Sequence, residues 1–195
     1  MTELFIHPND PSGASAKKGA NAVTDFEALC DKNSLIYEKC SQYDDWHHKD
    51  RIVHFPEEPV AGKNWPLGTR KVDIKSAKSN RRGGKASLTQ VCLELRGTKG
   101  GGWIFGNEDK NFIAFQHGDL FYHVQVNELK SYCVMLHDQG IIDLNAEAKV
   151  KEKGDYSEYE DFGVFRRPTP DKKREKFMYV PLEHLTANVT YQILD

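Results

Sequence analysis

The sequence predicts a mixed α/β (α+β) fold, with a mixed central β-sheet flanked by helices. An apolar stripe at helical period runs through residues 24–42, and a second one covers residues 127–137. Other short runs alternate apolar and polar residues, which is the period of half-buried strands. Helices and strands that alternate along one chain are typical of a sheet covered by helices.

Composition and charge exclude several classes of protein. The 195 residues, of which 38% are apolar and 29% charged, are enough for one domain with a buried core. The net charge of −2 argues against a protein that coats nucleic acid through bulk charge. No apolar run approaches the length of a membrane span, and residues 1–22 lack the apolar centre of a signal peptide. We therefore expect an intracellular, cytoplasmic protein without a membrane partner.

We expect one domain over residues 23–195, preceded by a flexible arm at 1–22. Within the domain, a segment at about 143–176 is dense in charged residues and is expected to pack loosely. The four cysteines never form a Cys-x-x-Cys pair, which argues against a zinc site and favours free thiols.

The first predicted helix covers residues 24–42, with a break near Asn33 and Ser34. It carries Glu27 and Glu38 beside the apolar stripe. Each carboxylate can either lean towards a site or form the ordinary polar flank of the helix.

Two strands follow this helix and are expected to pair antiparallel. Residues 51–55 form the first strand, and Asp50 directly precedes it. Residues 56–68 form a connection that is rich in turn signals. The second strand lies within residues 70–78 and carries Asp73. The pairing would bring Asp50 and Asp73 together at one end of the hairpin.

Asp73 and Lys75 are alternate residues of the second strand, so both side chains point away from the face of Val72 and Ile74. A carboxylate can bind a hard divalent cation, and an ammonium group beside it can orient water or offset charge on a phosphate. The pair therefore suits phosphodiester cleavage. The alternative is an ion pair on a solvated strand face, which would contribute about 0–1 kcal/mol to stability.

The acid-x-lysine spelling also occurs at 128–130, 147–149 and 171–173. Only the copy at 73–75 has β-branched residues on both sides of its acid, a turn before it and a glycine-rich break after it. That setting distinguishes it from the other copies in the chain.

Basic residues follow this strand, and Glu94 lies on the next one. The glycine-containing loop after the strand is either an ordinary exposed turn or a clamp for phosphates. Residues 88–96 alternate as a strand that points Glu94 away from the apolar face, which makes it a possible third carboxylate. The candidate phosphate contacts are Lys78, Arg81, Arg82 and Lys85.

The remaining elements are shorter. A strand is predicted at 103–105, a hairpin of two strands at 111–116 and 120–126, and a helix from a cap at Asn127. Final strands are predicted at 177–181 and 189–194, joined by a helical turn at 182–185.

This layout resembles the PD-(D/E)xK nuclease superfamily over residues 24–137. The restriction-endonuclease-like core of that family has a helix, three or four strands, a helix and a strand. There, an acid near the start of one strand and an acid-x-lysine on the next hold one or two Mg²⁺ ions and activate water. The resemblance assigns Asp50 as the first acid, Asp73 as the second and Lys75 as the lysine, with Glu27 or Glu38 as the acid that some members carry on the first helix.

A second register of the same motif uses Asp73 as the first acid, Glu94 as the second and Arg96 in place of lysine. Arginine does not readily act as a base, which favours the Asp50 register. In that favoured register Lys49, rather than a proline, precedes the first acid.

The resemblance implies a Mg²⁺-dependent (or Mn²⁺-dependent) endonuclease that acts on DNA. Many restriction-type members act as dimers, so a homodimer is a further expectation. Two alternatives come from other classes: a non-catalytic module on the same scaffold that binds nucleic acid or protein, and a structural protein whose acid-lysine pair is only an ion pair. Dependence on a divalent metal separates the enzyme from the binding module.

Overall fold

The structure is a computed structural model that describes residues 14–41, 50–78, 89–97, 100–106, 112–150, 158–166 and 175–195. Within these ranges the chain is mixed α/β, as the sequence predicts, with three helices and two mixed sheets. None of the described helices is long and apolar enough to cross a membrane.

The elements are numbered in chain order. The helices are α1 Ala14–Lys32, α2 Val126–Asp138 and α3 Leu182–Asn188. The strands are β1 Ile36–Lys39, β2 Arg51–His54, β3 Thr69–Lys75, β4 Gln90–Gly97, β5 Gly100–Gly101, β6 Phe112–His117, β7 Leu120–Gln125, β8 Lys149–Val150, β9 Val164–Arg166, β10 Lys176–Pro181 and β11 Tyr191–Leu194.

The described chain divides into two compact units. The first unit comprises the described residues within 1–77, 110–123 and 192–195, and the second those within 78–109 and 124–191. Each unit contains one sheet, apart from the ends of β7 and β11, which fall across the boundary.

The first sheet has the strand order β1-β2-β3-β6-β7-β11. β1 pairs with β2, and β2 with β3, in antiparallel orientation. The pairing of β2 with β3 is the one that the sequence predicted. β3 pairs with β6 in parallel. The two-residue connection Gly118-Asp119 joins β6 to β7 in the predicted hairpin. The strand that carries Asp73 therefore lies inside the sheet, with a neighbour on each side.

Helix α1 covers one face of the first sheet. Ala22, Phe26 and Cys30 recur every four residues and are buried, so one stripe of the helix enters the core. The sheet contributes Val53, Val72, Ile74, Ala114, Phe121 and Leu194 to the same core, and Phe55 joins them from just beyond β2. Helix and sheet thus bury their apolar faces against each other.

The first helix differs from the prediction at both ends. It begins at Ala14, so residues 14–22 of the expected arm are helical, while residues 1–13 lie outside the described part of the chain. It ends at Lys32, because Ser34 takes a left-handed backbone with φ of 56°. The N–H groups of Ser34 and Leu35 donate to the carbonyls of Asp31 and Cys30, the pattern of a Schellman cap.

The second sheet has the strand order β5-β4-β10-β9-β8, in which only the pair β8 with β9 is parallel. Strands β8 and β9 fall in the segment expected to pack loosely, and Val164 and Phe165 of β9 are buried. Residues 103–105, predicted as a strand, form a turn that buries Trp103 and Ile104. Helix α2 ends one residue after its predicted end at His137, and its N-cap is Gln125, two residues before the predicted cap at Asn127.

Candidate functional site

Strand β3 supplies the acid and the lysine of the candidate site. Val72 and Ile74 enter the core beneath α1. Because side chains alternate along a strand, Asp73 and Lys75 point to the opposite face of the sheet. The sequence predicted this alternation correctly.

Asp73 and Lys75 form a closely held ion pair. The Lys75 Nζ lies 2.6 Å from Asp73 Oδ1, and the two side chains are 16% and 1% exposed, respectively. The pair is therefore largely removed from water, which differs from the solvated face considered at the level of sequence. A buried carboxylate is costly unless a partner compensates it, so Lys75 has a direct role in stabilising the charge on Asp73.

Asp50 contacts the β3 backbone on either side of Asp73. Its N–H donates to the Val72 carbonyl at 3.0 Å, and its Oδ2 accepts the Ile74 N–H at 2.6 Å. In the register of β2 and β3, Arg51 is also paired with Val72. Asp50 and Arg51 therefore both lie opposite Val72, as in a β-bulge. The structure thus brings Asp50 to the segment that carries Asp73, at the predicted end of the hairpin.

Glu27 lies on α1 and is held by Arg51. Its Oε1 accepts the Arg51 Nε–H at 2.7 Å and lies 2.6 Å from Arg51 Nη2. This contact is on the helix-covered side of the sheet, whereas Asp73 and Lys75 point to the other side. Glu27 therefore does not join Asp73 in any described contact.

Glu38 lies on β1, whereas the sequence predicted a position on the first helix. Its Oε1 is 3.0 Å from His54 Nε2, and His54 Nδ1 is 3.0 Å from Thr69 Oγ1. This exposed polar row crosses the three strands β1, β2 and β3. The described contacts of Glu38 do not include Asp50 or Asp73.

Glu94 lies in the second unit, on β4. Its Oε2 accepts the Trp103 Nε1–H at 2.6 Å. The neighbours of β4 are β5 and β10, whereas the neighbours of β3 are β2 and β6. The second register of the motif needs the strands of Asp73 and Glu94 to pair, so the sheet topology favours the Asp50 register.

The predicted phosphate contacts are only partly described. Lys78 is exposed just beyond the end of β3. Arg81, Arg82 and Lys85 lie outside the described residues.

Sequence reasoning missed three polar residues of the first unit. Arg51 joins Glu27 to the Asp50 backbone, since its Nη1 donates to the Asp50 carbonyl at 2.5 Å. Gln116 donates to Asp25 at 2.8 Å and accepts the Ala77 N–H at 3.4 Å, which ties β6 to α1 and to the end of β3. The sequence did contain a signal for Arg51, because this arginine directly follows Asp50 at the start of β2.

The third residue is His123, which is fully buried on β7. Neither ring nitrogen has a hydrogen-bond partner among the described residues, and the rings of Phe26, Phe55 and Phe112 surround the imidazole at 5.6, 5.7 and 6.3 Å. Burial lowers the pKa of His123 to about 3. The alternating pattern of β7 predicts that the His123 side chain points inward. Nothing in the sequence indicates that aromatic rings surround the imidazole.

The described residues contain no group of three or more His, Cys, Asp or Glu side chains placed to hold a metal ion. Comparison of the chain with protein-family models, with curated proteins and with solved structures finds no match. Any function proposed for the chain therefore rests on its own residues.

Proposed function

We propose that this chain is a divalent-metal-dependent endonuclease that hydrolyses phosphodiester bonds in DNA. The observation that carries the proposal is the buried pair of Asp73 and Lys75, with Asp50 fixed to the same stretch of backbone. Two carboxylates can hold a divalent cation, and an ammonium group beside them can offset charge on a phosphate.

The donor set fits a hard divalent cation. Mg²⁺ is usually bound by one or two protein carboxylates, and waters and substrate phosphates complete its shell. Asp50 and Asp73 supply two carboxylates, and the Ile74 N–H orients the first of them. A bound Mg²⁺ or Mn²⁺ supplies charge stabilisation at the phosphate and a lower pKa for water.

The protein side chains have distinct roles in this proposal. Asp50 and Asp73 hold the cation, and Lys75 keeps the Asp73 carboxylate in place at 2.6 Å. The Lys75 ammonium group also offsets the negative charge that develops on the phosphate, an effect that burial strengthens. Lys78 contacts the DNA backbone, together with Arg81, Arg82 and Lys85.

We also propose that the first unit has the restriction-endonuclease-like core. Helix α1, the antiparallel strands β1 to β3, and β6 parallel to β3 support this proposal. One feature departs from the family pattern. The described chain between β3 and β6 forms β4 and β5, where the family has a helix.

The proposal is tested with supercoiled plasmid and single-stranded DNA, incubated with the purified protein in Mg²⁺, Mn²⁺ or EDTA. We expect cleavage that needs the metal and is lost in Asp50→Asn, Asp73→Asn and Lys75→Met. Lys130→Met is the matched control, because Lys130 belongs to the same acid-x-lysine spelling on helix α2. It should cleave as the wild type does.

Cleavage that survives EDTA or the Asp73→Asn substitution would show that this site is not responsible. The expected homodimer is tested separately by sedimentation equilibrium with and without DNA. Cutting of both strands by a restriction-type enzyme normally requires two such sites.

The burial of Asp73 favours a second candidate, a non-catalytic module on the same scaffold. A closed ion pair in the sheet can be purely structural and leave other surfaces to bind nucleic acid or protein. This candidate predicts binding to DNA or a protein without a divalent metal, and no turnover by correctly folded protein.

A further inference from the structure

Arg51 contacts the backbone of Asp50. The Nη1 group of Arg51 donates to the Asp50 carbonyl at 2.5 Å, so the arginine side chain folds back onto the peptide that precedes it. That bond fixes the orientation of the Asp50 peptide. The Asp50 carboxylate meanwhile accepts the Ile74 N–H at 2.6 Å and is held over β3.

Arg51 is in turn held by Glu27 of helix α1. Two nitrogens of the guanidinium, Nε and Nη2, lie 2.7 and 2.6 Å from the same Glu27 oxygen. The side chains of Arg51 and Glu27 are 13% and 22% exposed. Charge-assisted bonds that are partly shielded from water are stronger than exposed ones, so this contact fixes the guanidinium plane.

Glu27 lies on the side of the sheet that α1 covers, and the Asp73 side chain points to the other side. A carboxylate placed there acts on the site through Arg51. Glu27, Arg51 and Asp50 form a continuous row of contacts from the helix to the first acid.

We propose that Glu27 and Arg51 are positioning residues that set the divalent-cation affinity of Asp50. This inference rests on the proposed function, in which Asp50 is a metal ligand. Groups that orient a ligand without touching the metal commonly change affinity by about 10- to 100-fold. We expect the Glu27–Arg51 contact to act in this way.

The test is calorimetric titration of Mn²⁺ into the full-length protein without DNA, so that the readout does not depend on cleavage. Glu27→Gln removes the charge at nearly constant shape, and Arg51→Lys keeps the charge but loses the fork that reaches two acceptors. Asp25→Asn is the matched control, since Asp25 lies on the same helix and binds Gln116 of β6 instead.

We expect Glu27→Gln and Arg51→Lys each to weaken Mn²⁺ binding by about 10- to 100-fold. The double variant should bind no more weakly than the worse of the two, because both residues act through one contact. Asp25→Asn should keep the wild-type affinity within about twofold, because its described contact is with Gln116 and it shares no described partner with Arg51.

A second readout needs no metal. Hydrogen exchange of the Ile74 amide, followed by NMR in the apo protein, reports whether the Asp50 carboxylate still accepts that bond. We expect faster exchange in Glu27→Gln than in Asp25→Asn.

The two kinds of failure can be told apart. Wild-type protein that binds Mn²⁺, with unchanged affinity and Ile74 exchange in Glu27→Gln, overturns the positioning role alone. Wild-type protein that binds no Mn²⁺ overturns the proposed metal site and the positioning role with it.

Discussion

Lys75 is the compensating charge for a carboxylate that is almost fully buried. Replacing it by methionine leaves Asp73 inside the protein without its ammonium partner. We expect Lys75→Met to lower the free energy of unfolding by about 3 kcal/mol, since breaking a buried ion pair costs far more than breaking an exposed one. Urea denaturation of the two proteins measures the difference.

The double variant Asp73→Asn/Lys75→Met provides the control for that measurement. It removes both charges, so it should be more stable than Lys75→Met alone. A loss in Lys75→Met below about 1 kcal/mol would instead match the exposed pair considered from the sequence.

His123 is expected to make stability depend on pH. Its folded pKa is about 3, while that of the unfolded chain is near the ordinary 6.5. Between these values the unfolded chain binds a proton that the native protein excludes, so stability is full above pH 6.5 and falls as the pH drops towards 3. From about pH 7.5 to about pH 5, we expect a loss of about 2 kcal/mol from this residue.

His123→Leu removes that titration, so urea unfolding of both proteins at the two pH values isolates it. The variant should lose about 2 kcal/mol less than the wild type on acidification. Equal losses would mean that His123 gains a proton acceptor that the described residues do not supply.

Individual candidate residues were predictable where a local pattern placed them. The alternation of side chains in β3 predicted that Asp73 and Lys75 share one face. Asp50 was identified as a candidate because it is an acid directly before a predicted strand. The burial of Asp73 was not predictable, because it depends on chain distant in sequence. The contact of Glu27 with Arg51 was missed for the same reason, since it joins residues on two separate elements.

Two glycines allow a prediction about individual elements. Gly19 lies inside α1, and a methyl group added there would meet no atom within 4 Å apart from its chain neighbours and the backbone of its own helix, so Gly19→Ala should stabilise the protein by about 0.8 kcal/mol. Gly118 has equal space, but its φ is +61° in the hairpin turn. Gly118→Ala should therefore destabilise by about 1 kcal/mol through backbone strain.

Thermal unfolding of both alanine variants beside the wild type checks these opposite signs. Gly118→Asn is the control, because asparagine tolerates the left-handed conformation better than alanine. A stabilising Gly118→Ala would contradict the turn geometry.

Elements with strong periodicity were predicted well, and their ends less well. The apolar stripe located helix α2, whose end lies one residue from the prediction, but the cap signal at Asn127 placed its start too late. Helix α1 begins earlier than predicted. The sequence did not indicate this start, because residues 14–22 are small or polar and have little apolar periodicity. Helix α1 ends at Lys32, but the Asn33-Ser34 signal was interpreted as a break within a longer helix, so the residues of β1 were assigned to that helix.

At the scale of the whole molecule, a cation that binds the native protein must raise its thermal stability. If Asp50 and Asp73 hold Mn²⁺, a concentration of about 100 times the Kd should add about 2.7 kcal/mol to the free energy of unfolding. That corresponds to a rise in Tm of about 5–10 °C for a chain of this size.

Calorimetry with and without Mn²⁺ measures this shift, and Asp73→Asn should show none of it. A similar rise in wild type and Asp73→Asn would indicate cation binding elsewhere. Magnesium should act in the same direction.

The sequence patterns did not predict that the strands divide between two sheets and two compact units. A strand pattern states which face is apolar, but it does not state which strand lies beside which. The parallel pairing of β3 with β6 joins segments with all of β4 and β5 between them. Local propensity contains no information about such a pairing.

The strand order of the first sheet also constrains the sequence of events during synthesis. Strands β1 to β3 can pair as soon as they leave the ribosome, but β11 is made only after α3 and joins the sheet beside β7. Until then β7 presents an open edge, and open edges recruit other chains. Nascent protein interrupted before residue 191 should therefore aggregate more readily than a chain that includes β11 and should depend more on chaperones.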